Sequence, residues 1–275
     1  MLAGVVLIPG PPLLVPELIG SAAAETADLR AAVLSAGAAI ADVDRWIAVG
    51  VAGGGEVVGV FGPDTVGTYR GFGAEVTVRL GPADPPDSDE APTPDPGPPD
   101  PGVADTELPG SGIPGPRRPD PTVPLAALTV GWLRDRVAPR VPARVLIAAP
   151  EPTAGERSDT TDHLIAAMVG GDRVGFVIVG DGARTLTERA PGGLHPDAAT
   201  VQRRLDDLLT TADLAGLGAL DEQECTRVGV GSTAAWRIGA SAVAALGEPV
   251  VPRELYRGHP FGVGYWVGTW LPEGM

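Results

Sequence analysis

A chain of 275 residues is long enough for one full α/β domain, and a net charge of −15 denies nucleic acid or an anionic membrane the basic footprint that either requires. All 20 basic residues are arginine, which excludes lysine Schiff-base chemistry, and the single cysteine, Cys225, excludes an internal disulfide or a cysteine-built zinc cluster. With aromatics at 4%, the core has to be built from Val, Leu, Ile and Ala, and Cys225 is expected to serve as one more small buried hydrophobe.

Leu2 to Ile8 (LAGVVLI) is an unbroken apolar run rich in β-branched residues, which predicts a strand buried on both faces. Pro9 ends it, Gly10-Pro11-Pro12 forms a stiff turn, and Leu13 to Ile19 continues as an apolar segment pinned by Pro16 and holding one acid, Glu17. A buried strand opening into a rigid turn at its carboxyl end is where open α/β sheets place ligands. Residues 2–19 lack the basic start of a signal peptide and are broken by four prolines, and no other run is long enough to span a membrane. A cytoplasmic protein is therefore expected.

Ser21 to Ala41 predicts a helix capped by Ser21 with Glu25 in its first turn. Arg45 to Val51 (RWIAVGV) predicts a second buried strand running into Gly53-Gly54-Gly55. Glu56 to Phe61 and the alternating Ala74 to Leu80 predict two more strands, separated by a turn at Gly62-Pro63-Asp64 and a loop at Tyr69 to Gly73.

Residues 81–124 differ in kind. They hold 15 of the 30 prolines and nine acids against only Arg117 and Arg118, too little apolar surface to offset ordering entropy. This predicts a disordered or polyproline-like insertion that interrupts one domain spanning 1–275. Pro96-Gly97-Pro98-Pro99 matches a PxxP ligand pattern within it, and a solvated insertion without a docking role is the expected reading.

Beyond it, Leu125 to Arg136 has helical spacing, Arg144 to Ala149 reads as a third buried strand, and the following helix is expected to be capped by Ser158 or Asp159 with Asp162 in its first turn. Val174 to Val179 predicts a fourth buried strand and Asp181 to Gly193 a loop. Pro196 to about Leu220 and Asp221 to Leu246 predict helices, the second interrupted by Gly229 and Gly231, and Gly262 to Trp270 a last strand. Buried strands alternating with amphipathic helices predict a three-layer α/β/α sandwich with a mostly parallel or mixed central sheet.

The run Pro9, Gly10, Pro11, Pro12, Leu13, Leu14, Val15, Pro16, Glu17 resembles the opening of the class III extradiol ring-cleavage dioxygenases, in their subunit-B-like branch. There the segment typically reads Pro-His-Pro-Pro-Leu-Leu-Val-Pro-Glu, and the histidine helps hold a ferrous ion; Gly10 stands at that ligand position. A second point of resemblance is Gly180-Asp181 at the end of the fourth strand. In the family such a pair is followed shortly by the histidine that acts as acid and base, and here Arg184 or a neighbour stands in its place. Thr187 to Gly192 and Phe261 to Trp266 also resemble the branch, so the matches touch both ends and the middle of the chain.

The resemblance implies a ferrous site of two histidines and one carboxylate, and the supply of such groups is short. His163 falls inside a helix, His195 before Pro196 in a turn, and His259 before Pro260 ahead of the last strand; the turn Val51 to Gly55 has no histidine where the family's other ligand would stand. The expectation is accordingly a domain that has lost its metal ligands, carries no cofactor, and binds a small molecule or a protein partner. Its pocket would be formed by Gly10, Glu17, Asp181, Arg184, Glu188 and His259, with Arg184 binding an anion through its planar fork. Two alternatives stand beside it. One is an active Fe2+-dependent enzyme cleaving a catechol-type ring, with His259 and Glu17 or Asp181 among its ligands. The other is an interaction protein acting through the proline-rich insertion. Neither nucleic acid nor membrane is expected as a partner, and a homo-oligomer is compatible with the sequence. Gly229-Val230-Gly231-Ser232-Thr233 lacks the spacing and the Gly-Lys-Ser/Thr ending of a phosphate loop and predicts a helix break.

Overall fold

A computed structural model describes residues 1–83 and 118–274. The insertion predicted over 81–124 lies outside the described residues for 84–117. Its far end is described, and there the expected boundary needs correction: Asp120 is held to the small sheet by backbone hydrogen bonds with Val66 and Thr68, and Val123 is buried.

In chain order the elements are β1 (Leu2–Ile8), α1 (Pro16–Ile19), α2 (Ala27–Ala38), β2 (Arg45–Val51), β3 (Gly59–Phe61), β4 (Val66–Thr68), β5 (Thr77–Arg79), α3 (Leu125–Val137), β6 (Ala143–Ala148), α4 (Ala154–Met168), β7 (Val174–Val179), α5 (Ala198–Thr211), α6 (Leu214–Gly218), α7 (Glu222–Arg227), α8 (Thr233–Leu246), β8 (Val250–Gly258) and β9 (Tyr265–Pro272). Seven strands form one mixed sheet in the order β3-β6-β2-β7-β1-β9-β8; β4 and β5 pair separately. The four central strands β6, β2, β7 and β1 run parallel, with β3 antiparallel at one edge and the β8–β9 hairpin at the other. This is the α/β architecture expected from the alternation of apolar runs and helices.

Every residue of β1 and β7 is buried, which is why both sequences read as unbroken apolar runs rather than alternating ones. Side chains of β1 alternate between two cores. Val5 and Leu7 pack with α4, α5 and α8 on one face, and Val6 and Ile8 with α2 and α3 on the other. Gly239 of α8 lets that helix approach β7 closely, since a Cβ there would lie 2.5 Å from Ile178 Cδ1. Buried Cys225 packs in the first of these cores.

Several element limits differ from the sequence expectation for identifiable reasons. Residues Gly20–Ala24 form a 3-10 turn that contains Ser21, and α2 begins only after Thr26. The fourth helix starts a full turn before the expected cap: Thr153 accepts from the Glu156 backbone N–H while Glu156 reaches back to the Thr153 N–H, a reciprocal capping box. The long helix expected to Leu220 is cut by Ala212 in a left-handed conformation, giving α5 and α6. Only Gly59–Phe61 and Thr77–Arg79 of the two mid-chain strands pair, β4 was not expected, and Tyr69–Phe72 is a 3-10 turn rather than open loop. β8, the outermost strand, was not expected either. Pro252 and its charged residues are tolerated there because an edge strand has a free side.

Candidate functional site

The parallel strands β1 and β7 end side by side, Ile8 opposite Val179, and the register carries on into the turns that follow. Gly180 N–H donates to the Ile8 carbonyl at 2.9 Å, and Gly10 N–H donates to Asp181 Oδ1 at 3.0 Å. The chain order reverses here: β1 connects to β2 and β6 connects to β7, each across an intervening strand, so these carboxyl ends border a topological switch point.

Asp181 is fixed at three atoms. Its N–H donates to Ser232 Oγ (3.0 Å), its carbonyl accepts from Trp236 Nε1 (3.4 Å), and one carboxylate oxygen takes the Gly10 N–H. The indole of Trp236 lies against Gly180, where a Cβ would come within 2.5 Å of the ring, so glycine at 180 is what allows α8 to seat this tryptophan. Behind Gly10, the Thr129 hydroxyl donates to the Leu125 carbonyl (2.9 Å) and is within reach of the Gly10 carbonyl (3.3 Å). The third wall is the amino end of β9. Gly182 N–H donates to the Gly264 carbonyl and Gly264 N–H to the Ala183 carbonyl, both at 2.8 Å, which brings Tyr265 beside Asp181.

The electrostatics follow from this enclosure. Asp181 is enclosed by protein atoms yet keeps partial solvent access. Burial pushes its carboxyl up to about 6, against the single stabilising hydrogen bond from Gly10. Burial and the charge of Asp181 push the Tyr265 phenol well above the ordinary tyrosine range, so it stays a protonated O–H. Asp181 and Tyr265 thus set a carboxyl raised by burial near a phenol that stays protonated, groups chemically able to hold a hydroxylated ligand or exchange a proton with it.

Of the six residues expected to line one pocket, Gly10 and Asp181 are in direct contact. Exposed Glu17 faces Arg136, whose guanidinium stacks 4.3 Å from the centre of the Trp132 ring. Arg184 is exposed and folds its side chain over Gly229. Glu188 is exposed further along the same loop, and His259 lines a separate cleft with Asp206 and Arg257. Ser232, Trp236 and Tyr265 were not anticipated as site residues. Tyr265 lies within the Phe261 to Trp266 match, next to Gly264, whose backbone bonds the loop that carries Asp181.

The ferrous site implied by the resemblance does not fit these residues. Gly10 offers no donor side chain, and the turn after β2 is Gly53-Gly54-Gly55, with Glu56 committed to the backbone N–H groups of Gly53 (2.7 Å) and Leu125 (2.9 Å). His163 is exposed on α4 with Nδ1 2.7 Å from the Asp159 carbonyl, and His195 Nδ1 accepts from Asp197 N–H at 3.2 Å. Among the described residues no three of His, Cys, Asp and Glu converge on a point that could hold a metal ion. None of the described helices is long and apolar enough to cross a membrane. No family model and no curated protein matches the chain.

Proposed function

We propose that this chain is a dioxygenase-like scaffold of the class III, subunit-B-like type that binds a small hydroxylated molecule beside Asp181 without a ferrous ion. One observation carries the reading. Three points that resemble the family, Pro9 to Glu17, Gly180-Asp181 and Phe261 to Trp266, are far apart in sequence and meet around Asp181 through the Gly10–Asp181 and Gly182–Gly264 hydrogen bonds. Ligand recognition rests on Asp181 as acceptor and Tyr265 as donor, a pairing suited to phenolic or catechol-type hydroxyls. Arg184 has no part in it, because its side chain lies over Gly229, so an anionic group is not required of the ligand.

The test is calorimetric titration of the metal-free protein with catechol and with protocatechuate. Saturable binding that weakens at least tenfold in Asp181→Asn, and is unaltered in Arg184→Ala, supports the reading. Absence of binding by either compound, or binding indifferent to Asp181→Asn, overturns it.

A further inference from the structure

A second cleft of about 350 Å3 opens between α5, the end of β8 and Leu186 of the 181–193 loop. Its polar lining comes from Gln202, Arg203 and Asp206 of α5, Arg257 of β8 and the exposed His259 that follows.

Asp206 is only 7% exposed but reaches the cleft, and its Oδ1 accepts from Gln202 Nε2 at 2.8 Å. Gln202 is locked in turn. Its Oε1 accepts from the Ala183 N–H at 2.7 Å, and it fills the space that side chains at Gly182 and Gly264 would need. The Asp206 carboxylate is therefore held in place rather than free to swing into solvent. Arg257 is already engaged by Glu254 (2.6 Å) and Thr210 (2.7 Å). Arg203 is exposed and has no ion-pair partner among the described residues. It stands three residues before Asp206, so the two share a helix face roughly 5–6 Å apart at Cβ, and both line the cleft without pairing with each other.

We propose that this cleft binds a small zwitterion of the α-amino acid class, its ammonium on Asp206 and its carboxylate on Arg203, with His259 at the rim. A simple anion would face the fixed carboxylate of Asp206, and a simple amine would face the guanidinium groups of Arg203 and Arg257. A ligand carrying both charges a few ångströms apart satisfies the buried carboxylate and the exposed guanidinium together. Leu186 supplies the apolar wall against which a short side chain would rest.

The experiment is calorimetric titration of the full-length protein with each of the twenty proteinogenic L-amino acids, and separately with acetate and ethylammonium as the two halves. The expected result is one-to-one binding of at least one amino acid, at least tenfold tighter than either half. It should weaken tenfold or more in both Asp206→Asn and Arg203→Ala and stay unaltered in Arg189→Ala. Arg203 is at the surface, so its variant reports on binding even if Asp206→Asn disturbs folding. Failure of every amino acid to bind would overturn the proposal. So would acetate binding as tightly as the best amino acid, or affinity that survives Arg203→Ala.

Discussion

Replacing Asp181 by Asn should leave stability near pH 4 unaltered and raise it above pH 6. In the folded chain burial holds this carboxyl at about 6, against 3.8 for an ordinary aspartate. Between those values the unfolded chain has released the proton while the folded chain keeps it, so folding loses stability as pH rises through this window and the loss levels off above 6. At about 1.4 kcal/mol per pH unit, the full penalty is about 3 kcal/mol, with about half present at pH 5. Partial solvent access reduces it, so a gain of about 2 kcal/mol is expected for the variant at pH 8. The Asn carbonyl still accepts from the Gly10 N–H, so the contact that joins the two turns survives. Urea unfolding of both proteins at pH 4, 5, 6, 7 and 8, with the m-value checked for constancy, measures the difference directly. A difference that is flat with pH, or that favours the wild type at pH 8, would refute the argument that Asp181 is a buried, destabilising charge. A buried carboxylate kept at such a cost is a pattern met where stability is set against use.

Other consequences are more local. Gly180→Ala should destabilise by about 1–3 kcal/mol in chemical denaturation, because its methyl would overlap the Trp236 ring, which has nowhere to retreat in α8. Thr153→Ala should cost about 0.5–2 kcal/mol through loss of the capping box at α4, read as a lower melting temperature. Gln202→Leu should cost about 1–3 kcal/mol, since it strips Ala183 N–H and Asp206 of a partner at once; amide hydrogen exchange at Ala183 should accelerate in that variant. Gly10→His should still fail to retain ferrous iron, read by elemental analysis after loading, because the turn after β2 supplies no second histidine and Glu56 is committed to backbone N–H groups.

The parts of the fold legible in the sequence were those whose environment is uniform. β1 and β7, and β2 beyond its first residue Arg45, are apolar because both faces are covered, so their limits can be read directly. β8 was hidden for the opposite reason: it lies at the sheet edge, mostly half-exposed, and its Pro252, Arg253 and Glu254 resemble a loop until β9 is placed beside it. The start of α4 was legible in principle, since Thr153 and Glu156 have capping-box spacing, but the later acids of the same helix imitate a first turn. At the site, Gly10 and Asp181 each ended an unbroken strand and could be singled out. Their contact depended on β1 and β7 being neighbours, which no local pattern encodes. Gln202 and Asp206 sit in an amphipathic helix and look like its polar face; only the packing of β8 and the 181–193 loop over α5 buries them.

On the proposed reading, the chain presents Asp181 to a ligand and does not assemble a ferrous centre. Anaerobic loading with ferrous iron, removal of free metal, elemental analysis and exposure to catechol in air test it most directly. The account predicts iron far below one atom per chain and no ring-cleaved product from the wild type or from Gly10→His. Near-stoichiometric iron in the wild type, with extradiol cleavage of catechol, would contradict it.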